Sequence, residues 1–167
     1  MVSTINSIKS SINKLNKSIS NLNFETIANE YSPRMRKAFK KELKTFPKGI
    51  FNSEIKVDGI LTEKEEEKRK DIFLKAKITI KNDKIVVDYS GSDKQRDRQP
   101  INVPYSYTMA DTFYAIQYIL FGNIPNIGTQ YCPIEIIVEE NSILNASKPF
   151  PVYARTRTGI HISSLIN

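Results

Sequence analysis

The chain is poor in the residues that build metal centres and covalent cross-links. Its 167 residues include one cysteine (Cys132), one histidine (His161) and no tryptophan. A single cysteine excludes an internal disulfide and every zinc site that needs several thiolates, and a single histidine excludes a histidine-rich zinc centre. Apolar bulk comes instead from eight tyrosines and eight phenylalanines. We therefore expect a packed core without a metal, in a reducing, cytoplasmic setting.

Recognisable membrane and phosphate-binding signals are also missing. The N-terminus lacks the basic segment followed by an apolar segment that marks a signal peptide. No apolar run approaches the roughly 20 residues of a membrane-spanning helix. The phosphate loops G-x-x-x-x-G-K-[ST] and G-x-G-x-x-G are absent, and so is the calcium loop D-x-[DN]-x-[DN]-G. We therefore expect no membrane partner and no cofactor or metal bound by this chain.

Charge is unevenly balanced, with 25 lysines and arginines against 18 acidic residues and a net charge of +7. Such an excess raises the possibility of a nucleic-acid partner. However, residues 32–49 are strongly basic while residues 62–71 mix both signs, and no aromatic–glycine pattern of an RNA-reading sheet is present. We interpret the excess as a lysine-rich solvated surface. A basic nucleic-acid-binding module remains the weaker alternative, and its affinity would fall steeply with salt.

The N-terminal segment carries a heptad-like stripe. Apolar residues recur at alternating steps of three and four, at Ile5, Ile8, Ile12, Leu15, Ile19 and Leu22. This spacing is typical of the a/d seam of a packed helix. The intervening asparagines and serines are poor helix formers, so the helix needs a packing partner. The pattern leaves open whether that partner is this chain's second helix or another subunit.

A second helical region is predicted over residues 23–49. Met35, Phe39 and Leu43 share one apolar face, and basic residues lie mostly on the others. Ser32-Pro33 resembles an N-cap followed by a first-turn proline, which predicts a restart or kink there. Together the two regions predict a helical segment over residues 1–48, suited to docking.

The remaining residues, 49–167, predict an α+β segment with a mainly antiparallel sheet and one further helix. Strands are predicted at residues 53–61, 72–81, 84–89 and 134–140, with a hairpin turn at 81–84 and a helix at 105–123. In the second strand, Phe73, Ala76 or Lys75, Ile78 and Ile80 alternate only partly. An apolar-periodic element begins near Ile160 and is unfinished where the sequence stops. We therefore expect a fragment of a larger domain, incomplete at its C-terminus.

Local motifs for catalysis are sparse. Gly91 in "SGS" reads as a turn after a strand, where glycine permits a positive φ. Arg155 and Arg157 would lie on one side of an extended segment and could clamp a carboxylate or phosphate. His161 would have to serve any nucleophile–base pair, although a lone histidine between isoleucines is more often structural. Cys132 reads as a small buried apolar residue.

Four segments, taken in order, resemble one family. They are "EYSPRMRKAFKKELKTFPKGIF" (30–51), "IKVDGIL" (55–61), "IVVDYSGSDKQRDRQPINVPYSYTMADTFYAI" (85–116) and "IPNIGTQYCPIEIIVEENSILNASKPFPVYARTRTG" (124–159). Their order and spacing resemble the B-type subunits of the hydantoinase B/oxoprolinase family. That family includes ATP-dependent hydantoinases, 5-oxoprolinases and the related large subunits of acetone and acetophenone carboxylases. Where the family pattern has a turn glycine, this chain has Asn141, which can take the same conformation.

The resemblance implies a two-part enzyme. An A-type ATPase subunit activates a cyclic amide, a ketone or bicarbonate with ATP, and the B-type subunit completes ring opening or carboxylation. The family's acidic and histidine-containing N-terminal motifs, which contribute the metal site in the ketone carboxylases, are missing here. The resemblance therefore implies that ATP and a divalent metal belong to the partner subunit or to the missing B-type portions.

The resemblance also selects candidate site residues. Asp88, Ser90, Asn102 and Arg155 are the polar positions expected nearest to shared chemistry or domain packing. The leading hypothesis is a partial B-type subunit of an ATP-dependent hydantoinase or 5-oxoprolinase, inactive alone and working with an A-type subunit and the remaining B-type portions. The alternatives are a non-catalytic assembly subunit and a piece of a ketone carboxylase.

Overall fold

The computed structural model describes residues 2–18, 24–59, 71–124 and 131–167. In chain order the elements are α1 (Val2–Ser18), α2 (Phe24–Leu43), β1 (Gly49–Val57), β2 (Ile72–Ile80), β3 (Ile85–Asp88), α3 (Tyr105–Leu120), β4 (Ile134–Ile137) and α4 (Thr156–Ile166). The predicted α+β architecture, with a helical pair before the sheet, is confirmed. The apolar-periodic element predicted near Ile160 is the helix α4, so the described residues contain two helices after the N-terminal pair where one was predicted. The predicted division at residue 48 stays a prediction.

The two N-terminal helices differ in how they are packed. In α2, Met35, Phe39 and Leu43 are buried, as their shared face predicts, and Phe39 meets Phe121 edge to face at 5.0 Å. In α1 the apolar stripe is exposed from Ile5 to Leu15. The stripe therefore does not pack on α2, and its last two positions, at residues 19 and 22, lie outside the described residues.

The predicted restart at Ser32-Pro33 is wrong. Pro33 lies inside α2, which continues without a break from Phe24 to Leu43. The Ser32 hydroxyl donates to the carbonyl of Ala28 at 2.7 Å, one turn back in the helix, instead of capping a new N-terminus. The buried face at Met35, Phe39 and Leu43 follows the proline and stabilises the helix beyond it.

The four strands form one mixed sheet in the order β1-β2-β3-β4. The first three strands are antiparallel neighbours, with Gly49 opposite Ile80 and Ile80 opposite Ile85. The predicted hairpin turn at 81–84 is present, and Lys81 donates its backbone N–H to the carbonyl of Lys84 at 2.9 Å. β4 joins β3 in parallel, because the chain crosses over through α3 between them.

Strand β2 alternates strictly between its two faces. Its buried side chains are Ile72, Leu74, Ala76, Ile78 and Ile80, and the residues between them face outward. The alternation is therefore complete where only a partial one was predicted: Ala76, Ile78 and Ile80 are buried, and Phe73 lies on the outer face. Lys75 and Lys77 explain which side chains of β2 face outward, since charged groups remain in water.

Helices α3 and α4 pack against each other, and α4 also packs on β1 and β2. The Ser53 hydroxyl on β1 donates to the Leu165 carbonyl at the end of α4, at 2.5 Å. Gly159 permits the close approach of α3, since a Cβ there would overlap Cε1 of Tyr107. No helix in the described part of the chain is long and apolar enough to cross a bilayer.

Candidate functional site

The segment after β3 turns sharply at its polar start. The backbone N–H of Ser90 donates to Oδ1 of Asp88 at 2.9 Å, and Ser92 donates its N–H to the Tyr89 carbonyl at 3.2 Å. Gly91 has φ of +83°, as predicted for this turn. Asp88 and Ser90 therefore lie together at the end of the strand, with Ser90 exposed.

Beyond the turn, Ser92 and Asp93 hydrogen-bond to the backbone of β2 where β3 has ended. The Ser92 hydroxyl accepts from the N–H of Lys75 at 3.0 Å and donates to its carbonyl at 3.2 Å. Asp93 donates its N–H to the Phe73 carbonyl at 2.9 Å and accepts the Phe73 N–H on Oδ2 at 3.3 Å. These bonds occupy the free edge of the first half of β2 and anchor the loop to the sheet.

Arg96 fixes the next part of the loop. Its Nη2 donates to Oδ2 of Asp93 at 2.8 Å and to the carbonyl of Asp71 at 3.1 Å. Both members of the Arg96–Asp93 ion pair are partly sheltered from solvent. The guanidinium thus joins the loop to the residue that precedes β2.

Asn102 is the buried centre of the loop, with 0% of its surface exposed. Its Oδ1 accepts the N–H of Arg96 at 2.6 Å. Its Nδ2 donates to the carbonyls of Arg96 (2.8 Å), Gln99 (3.1 Å) and Pro151 (2.9 Å). Because every polar atom of this amide bonds to the chain's own backbone, Asn102 shapes the loop and has no group left for a substrate.

The bond to Pro151 connects the loop to the turn that leads into α4. In that turn Ala154 donates its N–H to the carbonyl of Pro100 at 2.8 Å. Arg155 follows directly, is exposed, and its guanidinium carbon lies 6.0 Å from the ring centroid of Tyr107. The two contacts therefore place the candidate Arg155 beside the stretch that Asn102 organises.

The predicted extended clamp of Arg155 and Arg157 is wrong. Arg155 has helical φ and ψ of −51° and −28° at the N-cap of α4, and Arg157 lies in the first turn. Residues two apart on a helix point in different directions, so the two guanidinium groups do not share one side. Gly159, further along α4, leaves room for the ring of Tyr107.

A second polar cluster was not among the predicted site residues. The side-chain amide of Gln95 donates to Oδ1 of Asn141 and to the hydroxyl of Ser147, and its Oε1 accepts the Ser147 N–H at 2.9 Å. Asn141 has φ of +62°, which confirms that it takes the turn position normally given to glycine. The sequence offered one signal for this cluster: Gln95 lies within the 85–116 segment that resembles the family. The hydrogen bonds of this cluster tie the loop to the turn after β4.

Two buried groups with raised pKa values, Cys132 and Tyr89, are unsuited to catalysis. Burial raises the pKa of the Cys132 thiol to about 12, so the nucleophilic thiolate is scarce at neutral pH. Burial also raises the pKa of Tyr89, whose hydroxyl pairs with that of Thr112 at 2.8 Å. The predicted buried, apolar character of Cys132 is confirmed.

No nucleophile–base pair is formed in the described residues, where His161 has no hydrogen bond to a serine, threonine or cysteine. Within the same ranges, no group of three or more histidine, cysteine, aspartate or glutamate side chains could hold a metal ion. The residues present therefore do not fit the divalent metal that the resemblance implies for the larger enzyme, and no step through a metal is assigned to them.

An apolar cavity of about 270 Å³ lies at the β1 end of the sheet, away from this loop. Its apolar lining residues include Phe51, Ile78, Ile80, Ile119, Leu165 and Ile166, and no titratable side chain lines it. Such a lining suits apolar groups and offers nothing for proton transfer.

Comparison with known proteins identifies the family. The family model described as hydantoinase B/oxoprolinase matches residues 1–167. The chain belongs to the hydantoinase B/oxoprolinase family. The loop from Asp88 to Pro104 lies within the matched residues, and its hydrogen bonds anchor it to the rest of this hydantoinase B-like chain.

Two curated relatives match parts of this hydantoinase B-like chain. A proposed B-type subunit of a D-/L-hydantoinase from Pseudomonas sp. strain NS671 is 26% identical over 141 residues, which cover 81% of this chain and 23% of that protein. An uncharacterised protein of Methanocaldococcus jannaschii is 38% identical over 87 residues, which cover 52% of this chain and 15% of that protein. The chain thus spans less than a quarter of the length of these relatives.

Two solved structures share the fold. The ATP-dependent caprolactamase of Pseudomonas jessenii aligns with a TM-score of 0.69 at 16% identity, over 93% of this chain and 26% of that chain. A nucleotide-free acetone carboxylase aligns with a TM-score of 0.70 at 14% identity, over 85% of this chain and 20% of that chain. The hydantoinase B-like chain therefore has the fold of one part of much larger proteins.

Proposed function

We propose that this chain supplies the middle α+β segment of the B-type subunit of an ATP-dependent enzyme that opens cyclic amides. Two observations support the proposal: the family match over residues 1–167, and the small share of its relatives' length that the chain covers. The chain acts in the cytoplasm, in a complex with an A-type ATPase subunit and the remaining B-type portions. ATP and a divalent metal are bound by those other parts.

The observation that carries the proposal is the construction of the 88–104 loop. Most of its interior is fixed by the fold, since Asn102 and Arg96 bond to the chain's own backbone; Nε of Arg96 and Oε1 of Gln99 are buried without a hydrogen-bond partner. Its start is turned outward, with Ser90 exposed beside Asp88. A rigid loop with an outward polar tip is suited to positioning groups against a neighbouring part of an enzyme, and less suited to chemistry of its own.

The candidate residues accordingly divide into two roles. Asp88, Ser90 and Arg155 are the residues that contact the shared site or the neighbouring domain. Asn102 positions the loop from within and touches neither. The proposed contribution of the chain is therefore geometric, which fits the lack of a nucleophile–base pair and of a metal-ligand group in the described residues.

A turnover assay tests this proposal. ADP release dependent on 5-oxoproline or hydantoin is measured for the chain alone, and for the chain with an A-type subunit and the remaining B-type portions. We expect no turnover by the chain alone and turnover in the complex. Ser90→Ala should lower turnover in the complex, while Asp97→Ala, an exposed change in the same loop, should not. Robust turnover by the isolated chain would contradict the proposal.

A non-catalytic assembly subunit is the second candidate, because the apolar stripe of α1 is exposed and available for association. This candidate predicts equal turnover for the Ser90→Ala and wild-type complexes, and a smaller assembly when the chain is omitted. Sizing of the complex with and without the chain, together with the turnover comparison, separates the two functions.

A further inference from the structure

Tyr107 of α3 packs against the start of α4, where it meets two residues that share one side of that helix. Arg155 has helical backbone angles at the N-cap, and the N–H of Gly159, one turn further along, donates to its carbonyl at 2.8 Å. Residues four apart on a helix are neighbours on the same side. Arg155 and Gly159 therefore form one surface, and the ring of Tyr107 lies against it.

Gly159 lets the ring come close enough to reach Arg155. A Cβ at position 159 would lie 2.9 Å from Cζ of Tyr107 and closer still to Cε1, so any side chain there would displace the ring. The guanidinium carbon of Arg155 lies 6.0 Å from the centroid of the same ring, within the range of a cation–π interaction. Because Tyr107 is partly buried against the core, its ring is a fixed surface for the guanidinium.

The guanidinium of Arg155 is held by two contacts and keeps most of its donors free. Its Nη1 donates to the carbonyl of Val152 at 3.4 Å, in addition to the contact with Tyr107. Within the described ranges no carboxylate forms an ion pair with Arg155, and the residue is exposed. An arginine has five N–H donors. An arginine that is already held in place loses less side-chain freedom when it binds an oxyanion.

We propose that Tyr107 is a positioning residue, which holds the guanidinium of Arg155 in one orientation for the contact that Arg155 makes in the complex. The planar donors of arginine suit the paired oxygens of a carboxylate or phosphate. Such oxygens come from the substrate or from an acidic side chain of the remaining B-type portions. This inference rests on the proposed function, in which Arg155 contacts the shared site or the neighbouring domain, and Tyr107 acts through Arg155.

Nuclear magnetic resonance of the full chain tests the positioning without an enzyme assay. The order parameter of the Arg155 Nε–Hε bond should exceed that of Arg157, an exposed arginine two residues further along α4, and this comparison needs no variant. Tyr107→Leu should lower the Arg155 value to that of Arg157, whereas Tyr107→Phe keeps the ring and should preserve it. Backbone amide spectra show whether each variant is folded. A wild-type Arg155 as mobile as Arg157, or one unaffected by Tyr107→Leu, would overturn the proposal.

Turnover in the complex tests what the positioning serves. Arg155→Met keeps the length of the side chain without its donors and should lower kcat/KM at least about 10-fold. A raised KM places the substrate at the guanidinium. If half-maximal turnover instead needs more of the remaining B-type portions, an acidic side chain lies there. Tyr107→Leu should change the same quantity about two- to fivefold. Tyr114→Leu, the same change at an exposed position of α3, should leave it unchanged.

A double variant separates failure of this inference from failure of the proposed function. In an Arg155→Met background, Tyr107→Leu should cause no further loss, because its effect passes through the guanidinium. Equal losses in both backgrounds would overturn the positioning role. A wild-type complex without turnover would instead contradict the proposed function, and the order parameters would still decide whether Tyr107 holds Arg155.

Discussion

Replacing Asn102 by alanine removes a buried amide that makes four hydrogen bonds to the backbone. The change leaves the N–H of Arg96 and the carbonyls of Arg96, Gln99 and Pro151 without this partner. Each lost bond contributes about 0.5–1.5 kcal/mol, and each buried group left unsatisfied costs about 1–3 kcal/mol. Allowing for water entering the vacated space, we expect the free energy of unfolding to fall by about 3–5 kcal/mol.

Urea denaturation followed by far-ultraviolet circular dichroism measures this loss. With an m-value of about 2 kcal/mol/M, the midpoint should fall by about 2 M. Asp97→Ala is the control in the same loop, and since Asp97 is exposed its effect should stay within about 0.5 kcal/mol.

Asn102→Asp distinguishes hydrogen bonding from filling of space. It keeps the size of the side chain but replaces the amide nitrogen, whose two N–H groups face three carbonyl oxygens, with an ionised carboxylate oxygen that cannot donate to them. We expect a loss at least as large as that of the alanine variant. A loss below about 1 kcal/mol for Asn102→Ala, or a stable Asn102→Asp variant, would refute the assignment of Asn102 as the centre of the loop.

Three further predictions concern the turn, the helix contact and the thiol. Gly91→Ala should lower the free energy of unfolding by about 1–2 kcal/mol, because φ is +83° although space is available; no loss would contradict the turn. Gly159→Ala should cost about 1–3 kcal/mol through its clash with Tyr107, and less in a Tyr107→Ala background; equal costs in both would refute the contact. Because burial raises the pKa of Cys132 to about 12, a thiol reagent at pH 8 should react at least about 100-fold faster in urea than with the folded chain, and similar rates would exclude that burial.

Sequence periodicity predicted the positions of the helices and strands better than it predicted which of their faces are buried. The hairpin turn at 81–84 and the buried face of α2 followed directly from turn residues and helical spacing. In α3, however, the apolar positions do not define the buried face. Thr108 and Thr112 are fully buried, and the Thr108 hydroxyl donates to the Leu144 carbonyl at 2.5 Å. Small polar residues with a distant backbone partner cannot be assigned from their own neighbours in sequence.

The candidate site was predictable as a segment and unpredictable in its internal roles. Resemblance selected the Asp88–Pro104 block, and local turn chemistry selected Gly91. The role of Asn102 depends on Pro151, far away in sequence, and the helical start at Arg155 depends on how α4 packs. Such long-range contacts leave no local signature, which is why the two arginines were expected in an extended segment.

The parallel pairing of β3 and β4 has a consequence for the order in which the chain folds. A parallel pair needs a long connection, and this one contains both the 88–104 loop and α3. Contacts between residues distant in sequence form late, so β1, β2 and β3 can assemble before β4 arrives. The segment after β4 supplies the Ile143 N–H bond to the Asp93 carbonyl and the Ile143 carbonyl that accepts from Val103. The complete set of hydrogen bonds in the loop therefore forms only once the segment after β4 is in place.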